Sequence, residues 1–249
     1  DAPALLRAAL TAKGYTPMTI QMSGITDCYQ PAEREFQITR GCLEVLEEFG
    51  TPVGIVTKNR LITRDVDVLS RLAARNLVAV FVSVTTLDLP LNRILEPRTS
   101  SPSQRLETIR QLSAAGIPTG VMVAPCVPGI TDHEMPKILE AARDAGARRA
   151  GYIVMRLPYA VAPLFEHWLE QHFPERKDKV LNRIRDLRGG KMNDPRFGAR
   201  MRGEGHWAEQ ILKIYQVSCR RLGLNASREP LSTEHFRRPG AQQLELFSG

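Results

Sequence analysis

Lys58 stands two residues beyond the end of the apolar run Val53-Gly54-Ile55-Val56. That placement sets a cation at the end of a buried strand, where it suits a carboxylate or a phosphate. An exposed loop lysine is the plainer alternative, and the closeness to the strand favours a functional role. Ser83 and Thr85 flank Val84 at the end of Val78–Val84, and alternation in a strand would turn a hydroxyl-bearing face inward, away from Phe81 and Val84. Taken alone, ordinary strand-end hydrogen bonding explains them. Thr26, Asp27 and Cys28 lie in the polar stretch Ser23–Pro31, Ala124, Pro125 and Cys126 follow another apolar run, and Arg156 follows a fifth. The four cysteines show no C-x-x-C spacing and the five histidines no ligand spacing. No metal-ligating residue is therefore assigned, and reduced thiols of a cytoplasmic protein are expected.

These groups converge only if the chain folds so that the apolar runs end together. Met18–Met22, Val53–Val56, Val78–Val84, Thr119–Ala124 and Gly151–Met155 are strand-sized and separated by helical segments. Phe36–Phe49 has helical apolar spacing, with Pro52 restarting the next strand. Thr63 is expected to cap a helix over Arg64–Arg75. Ser101, Pro102 and Gln104 give a capping box for Pro102–Ala115, Thr131 and Glu134 suggest another before Glu134–Ala145, and Gly116 and Gly146 mark helix ends. Strands apolar on both faces and joined by helices predict a parallel sheet whose loops converge at its carboxyl edge. Past Pro158, Pro163–His172, Pro174–Arg188 and His206–Leu222 read as successive helices, and residues 227–249 as an extended tail. The boundaries expected are 1–158, 159–226 and 227–249.

The 249 residues, 43% hydrophobic and 24% charged, exclude a small stapled scaffold and global disorder. No apolar run approaches the ~20 residues of a membrane span, so no membrane partner is expected. A formal charge of +7 is a weak pointer to polyanionic partners.

In order, S-G-I-T-D-C-Y-Q-P (23–31), I-V-T-K-N (55–59), F-V-S-V-T-T (81–86), I-L-E-P-R-T-S-S-P-S-Q-R-L (94–106) and V-M-V-A-P (121–125) form a series. It resembles the radical S-adenosylmethionine superfamily, in the branch related to spore photoproduct lyase and DNA-repair photolyases, over about Met18–Pro158. The resemblance implies an α/β fold, a partial TIM-type (β/α)6 barrel that lacks its first strand and cluster loop in this chain and is followed by C-terminal helices. In the family that loop carries C-x-x-x-C-x-x-C, whose thiolates hold a four-iron four-sulfur cluster. The motif is missing here. The chain starts at Asp1-Ala2-Pro3 without methionine, so the cluster ligands are expected upstream of Asp1, with loss of the chemistry as the alternative.

Carried over residue by residue, the resemblance places Thr26 and Asp27 under the methionyl amino group of S-adenosylmethionine, and Lys58 and Ser83 on its carboxylate. Thr85, Glu96 and Arg105 join this cofactor set, with loop anchoring as the alternative for Glu96 and Arg105, and Ala124 and Pro125 line the adenosyl side. Cys28 and its neighbour Tyr29 are the catalytic candidates. The lyase has a hydrogen-donating cysteine three residues before the aspartate, where this chain has Gly24, so the lyase reaction itself does not carry over. Cys28 as a donor at a new position and Cys28 as a small buried hydrophobe stand level. The implied activity is reductive cleavage of S-adenosylmethionine to a 5′-deoxyadenosyl radical that takes hydrogen from a nucleic acid or a nucleotide-related substrate. An electron donor for the cluster is a required partner.

Two further stretches point the same way. Arg185–Gly203 intersperses cations with Phe197 and glycines, so Arg196, Arg200 and Arg202 are candidate nucleic-acid contacts, a solvated basic loop being the commoner case. Gln243-Leu244-x-Leu246-Phe247 resembles the peptide by which repair and replication proteins dock on the bacterial sliding clamp. A non-catalytic nucleic-acid or clamp-binding adaptor on a decayed barrel is the second reading.

Overall fold

The computed structural model describes residues 1–196, 199–227 and 229–239. Strands Ile20–Met22 (β1), Val53–Thr57 (β2), Val78–Ser83 (β3), Thr119–Cys126 (β4) and Arg149–Val154 (β5) form one sheet in sequence order, each neighbouring pair parallel. Parallel neighbours need a crossover between them. Between β1 and β2 these are α2 (Glu33–Phe36) and α3 (Ile38–Phe49), then a 3-10 turn at Arg60–Asp65 with α4 (Val66–Ala73). Next come α5 (Leu89–Leu95) with α6 (Pro102–Ala114), and a 3-10 turn at Asp132–Glu134 with α7 (Met135–Asp144). Helix α1 (Ala2–Thr11) precedes β1, while α8 (Val161–His172), α9 (Lys177–Asp186), α10 (Ala199–Arg202) and α11 (His206–Leu222) follow β5. The sheet is not closed, and the architecture is a partial TIM-like barrel.

The two faces of the sheet differ in chemistry. Val53, Ile55, Val78, Val80, Val82, Val121, Val123 and Val154 are wholly buried against Leu43, Leu46, Leu69, Ile109 and Ile138 of the helices. The other face carries Gly54, Phe81, Gly120, Met122 and Gly151, which the registers Val56↔Phe81↔Gly120 and Ser83↔Met122↔Gly151 set side by side. Its glycines are required by close approach. A Cβ on Gly120 would lie 2.6 Å from Phe81 and 2.9 Å from the Arg149 carbonyl, and one on Gly151 2.9 Å from the Met122 methyl. Phe81, expected to point away from Ser83 and Thr85, shares their face.

Helix α11 returns to the main core through Ile211, Tyr215 and Leu222, whereas α8 and α9 form a second cluster on Val127, Ile130 and Leu157. Residues 229–238 run beneath the amino ends of the strands. Asn76 donates to the Pro230 carbonyl (3.0 Å) and accepts from the Ser232 N–H (2.9 Å), Phe236 lies between the rings of Tyr15 and Phe49, and the Arg237 N–H donates to the Phe49 carbonyl (2.9 Å). No helix of the described residues is long and apolar enough to cross a membrane.

The capping box at Ser101 and Gln104 forms as the sequence predicts. Two other caps do not. Thr63 donates back to the Arg60 carbonyl (3.0 Å), while Asn59 accepts from the Leu61 N–H (3.0 Å) and starts the 3-10 turn. Thr131 accepts from the Val127 N–H (2.9 Å), and Glu134 reaches across to the Thr86 hydroxyl (2.6 Å) and the Leu87 N–H (2.8 Å). Thr63 and Thr131 are taken by other local bonds, and Glu134 by distant donors on the β3 loop. The expected helix over Phe36–Phe49 is broken at Gln37, whose φ of 47° ends α2.

Candidate functional site at the carboxyl edge

The ends of β2, β3 and β4 meet around Lys58. Its ammonium donates to Glu96, to the Ala124 carbonyl (3.1 Å) and to the Thr85 hydroxyl (3.4 Å). Thr85 in turn donates to the Ala124 carbonyl (2.8 Å). Behind Glu96 lies Arg105, only 1% exposed, which donates to the Glu96 carboxylate (2.7 Å), the Ser83 carbonyl (2.9 Å) and the Ser100 carbonyl (2.8 Å). Arg105 reaches this position because the Ser101 cap starts α6 at Pro102 and turns its first inward position toward β3. Two cations thus share the Glu96 carboxylate, and the charge of Asp27 acts on Lys58 from the neighbouring loop.

Burial pushes the Lys58 ammonium below its ordinary value, against the pull of Glu96. Burial works to raise the Glu96 carboxyl, but the charges of Lys58 and Arg105 and their hydrogen bonds outweigh it and hold the group below the usual carboxylate range. Glu96 is thus ionised at neutral pH.

Asp27 joins the β1 loop to β2. One oxygen accepts from the Tyr29 N–H (2.9 Å) and the Thr57 hydroxyl (2.8 Å), the other from the Lys58 N–H (2.8 Å). Every lone-pair direction on the strand side is taken, so Asp27 positions the backbone of Lys58. Thr26 is exposed on the same loop. Cys28 is half-buried and its thiol is pushed up to about 11, burial being the main cause. It stays an S–H at neutral pH, the form a hydrogen-atom donor needs.

Several expected site residues fall elsewhere. Tyr29 is wholly buried and its hydroxyl donates to Asp65 (3.1 Å), which also binds Arg40 (3.2 Å) and Arg64 (2.8 Å). It anchors the loop from behind, away from the opening. Ser83 is 3% exposed and contributes its carbonyl to Arg105. Ala124 supplies a carbonyl, and Pro125 is half-buried beside it. In the basic segment, Arg196 is spent on Asp194 (2.6 Å) and Glu204 (2.8 Å). Arg202 lies with its guanidinium carbon 5.7 Å from the Tyr152 ring centre, and the Arg200 carbonyl accepts from Arg188 (2.9 Å). Phe197, Gln243, Leu244, Leu246 and Phe247 lie outside the described residues.

Sequence reasoning missed Glu134, which ties the β3 and β4 loops together, and Arg188, which is 2% exposed. It also missed the glycine-lined face, although glycine inside a strand is itself a signal of close approach.

The fold and site together define a partial β/α-barrel protein with a cationic centre at the carboxyl edge. Residues 3–142 match the model of the Radical SAM superfamily, and the chain belongs to that superfamily. It is 32% identical over 186 residues to an uncharacterized protein of Mycobacterium tuberculosis, covering 74% of this chain and 54% of that protein. A second uncharacterized protein, of Methanocaldococcus jannaschii, is 25% identical over 164 residues, 66% of this chain and 60% of its own length. The chain thus spans little more than half the length of these curated relatives. Among solved structures, a spore photoproduct lyase variant with bound AdoMet and dinucleoside spore photoproduct superposes with a TM-score of 0.60 at 16% identity, over 89% of this chain and 64% of that one. A second variant of the lyase is matched equally, at a TM-score of 0.60.

Radical SAM proteins use a four-iron four-sulfur cluster and S-adenosylmethionine. The described residues contain no group of three or more His, Cys, Asp or Glu side chains able to hold a metal ion, so they supply no ligand set for the cluster. For S-adenosylmethionine they fit better. Lys58 and Arg105, two cations at the carboxyl edge, suit a carboxylate.

Proposed function

We propose that the chain is the S-adenosylmethionine-binding barrel of a cytoplasmic radical enzyme that abstracts hydrogen from a nucleic acid or a nucleotide-related substrate. The observation that carries this reading is the half-buried Lys58 ammonium, held at the carboxyl edge by Glu96 and the Ala124 carbonyl. Lys58 binds the methionyl carboxylate, with Glu96 and Thr85 fixing its ammonium and Arg105 fixing Glu96. The Ala124-Pro125 turn lines the adenosyl side, and Thr26 lies beside the amino group on the loop that Asp27 holds. S-adenosylmethionine supplies the hydrogen-abstracting species once it is reductively cleaved. The cluster ligands come from a segment outside the described residues, set against the open β1 edge, and reduction requires a separate electron donor. Cys28, protonated on the same loop, is the candidate for returning a hydrogen atom. Arg200 and Arg202 extend a basic surface toward the nucleic acid, and Gln243–Phe247 is a candidate sliding-clamp peptide on its sequence alone.

Calorimetric titration of the chain with S-adenosylmethionine tests the reading. Binding that weakens about tenfold or more in Lys58→Ala, as loss of a charge-assisted contact requires, supports it. Absence of binding to the unaltered chain, or an affinity indifferent to Lys58, returns the protein to the adaptor reading.

A further inference from the structure

The carboxyl end of β5 gathers a buried and a half-buried arginine, Arg188 and Arg156, with no carboxylate ion-paired to either among the described residues. Arg188 donates to the carbonyls of Val154 (3.1 Å), Met155 (2.9 Å), Ala199 (2.9 Å) and Arg200 (2.9 Å). Its positive charge has four dipoles around it and no ion-pair partner among the described residues. Arg156 follows β5 two residues after Val154. The Arg156 Nε is buried with no hydrogen-bond partner among the described residues, and its Nη1 meets the Met201 sulfur at 4.0 Å. The nearby carboxylates are already taken, since Asp194 and Glu204 both bind Arg196.

A buried donor left without an acceptor, as the Arg156 Nε is, is unfavourable unless a ligand completes it, and the half-buried side chain can be reached by one. Proximity supports this, for burial and the Arg156 charge together lower the affinity of Arg188 for its proton. Val154 is registered with Cys126, two residues from Ala124, whose carbonyl accepts from Lys58. Arg156 therefore stands on the same edge as the Lys58 cluster. Met201, which the Arg156 Nη1 meets, borders a cavity of about 430 Å³ with Phe81, Met122 and Gly151 of the glycine-lined face.

We propose that Arg156 is a phosphate-binding residue, held at the end of β5 by Arg188, and that it takes a phosphate group of the substrate. The planar fork of Arg156 offers paired donors to two phosphate oxygens, and the Arg188 charge adds a field that a dipolar ligand would not exploit. The identity of the phosphate carrier, a phosphodiester backbone or a mononucleotide, rests on the nucleic-acid reading above. The site itself does not.

The test uses the full chain and fluorescence anisotropy of a short labelled single-stranded oligonucleotide at several salt concentrations, with competition by adenosine monophosphate and by inorganic phosphate. Arg156 donates to no carbonyl or carboxylate among the described residues, so Arg156→Gln leaves no acceptor unpaired. A circular-dichroism melt verifies its fold. Expected is about tenfold weaker binding in Arg156→Gln, a salt slope shallower by about 0.7, and intermediate binding in Arg156→Lys, which keeps the charge and loses the fork. If mononucleotide or phosphate binds through Arg156 while the oligonucleotide does not bind, the site stands and the nucleic-acid reading fails. Unchanged oligonucleotide affinity in a folded Arg156→Gln overturns the site and leaves that reading intact. Failure of the unaltered chain to bind any of the three probes overturns both.

Discussion

The two edges of the sheet are finished differently. On the outer side of β5, Asn225 accepts from the Ala150 N–H (2.9 Å) and donates to the Ala150 carbonyl (3.2 Å), which also receives the Tyr215 hydroxyl (2.7 Å), and Arg188 covers the Val154 carbonyl. Helix α10 lies along the same edge, with Arg202 over Tyr152. An edge treated in this way cannot accept another strand. At the opposite side, β1 is three residues long and Gln21 is exposed. No side chain among the described residues caps the outer backbone of β1. Met18, Ile25 and Phe36 are exposed nearby, at 63%, 104% and 63%. One edge is an end, and the other is a surface on which further chain would bury apolar area.

The cluster midway between the edges sets the scale for testing that contrast. Glu96→Ala removes the carboxylate that pairs directly with both Lys58 and Arg105 and should cost about 3–5 kcal/mol, as breaking a buried pair does. Urea denaturation measures it, and a loss below about 1 kcal/mol would mean the cluster is solvated. The pH dependence has a definite sign. Because Glu96 is held below its ordinary value, its contribution is complete above about pH 4.3 and disappears as pH falls through the folded value. Glu96→Gln should flatten that part of the stability profile.

Asn225→Ala should cost about 1–3 kcal/mol, because the Ala150 N–H is left buried without an acceptor. Amide exchange at Ala150 should accelerate with it, and an unaltered rate would show that α10 alone seals the edge. On the β1 side, Phe36→Ser should change the stability of this chain by no more than about 0.5 kcal/mol. A larger loss would mean that Phe36 is packed and that the β1 edge is partly covered.

The thiols give the smallest effect. Cys28, on the loop beside β1, should be alkylated by iodoacetamide before Cys219, which is 7% exposed and lies near β5. The rate at Cys28 should climb as pH approaches about 11, since only the thiolate reacts. Equal rates at the two cysteines would erase the distinction between the edges at the level of local opening.

Much of this fold was legible in the amino-acid sequence. Five apolar runs spaced by helical periods dictated a parallel sheet, and an all-parallel sheet places its strand ends, with Lys58, Thr85 and Ala124, on one edge. The capping box at Ser101 was equally readable, since its donors and acceptors lie within three residues of each other. What the sequence could not specify was partnership over distance. That Glu96 sits between Lys58 and Arg105, that Tyr29 turns away to Asp65, that Glu134 leaves its own helix start for Thr86, and that Arg188 closes an edge while Arg196 is neutralised are outcomes of packing. Each involves a long polar side chain with several acceptors within reach. Only the tertiary structure determines which of these acceptors is buried beside it, and burial decides the choice because an unpaired charge is costly there and nearly free at the surface.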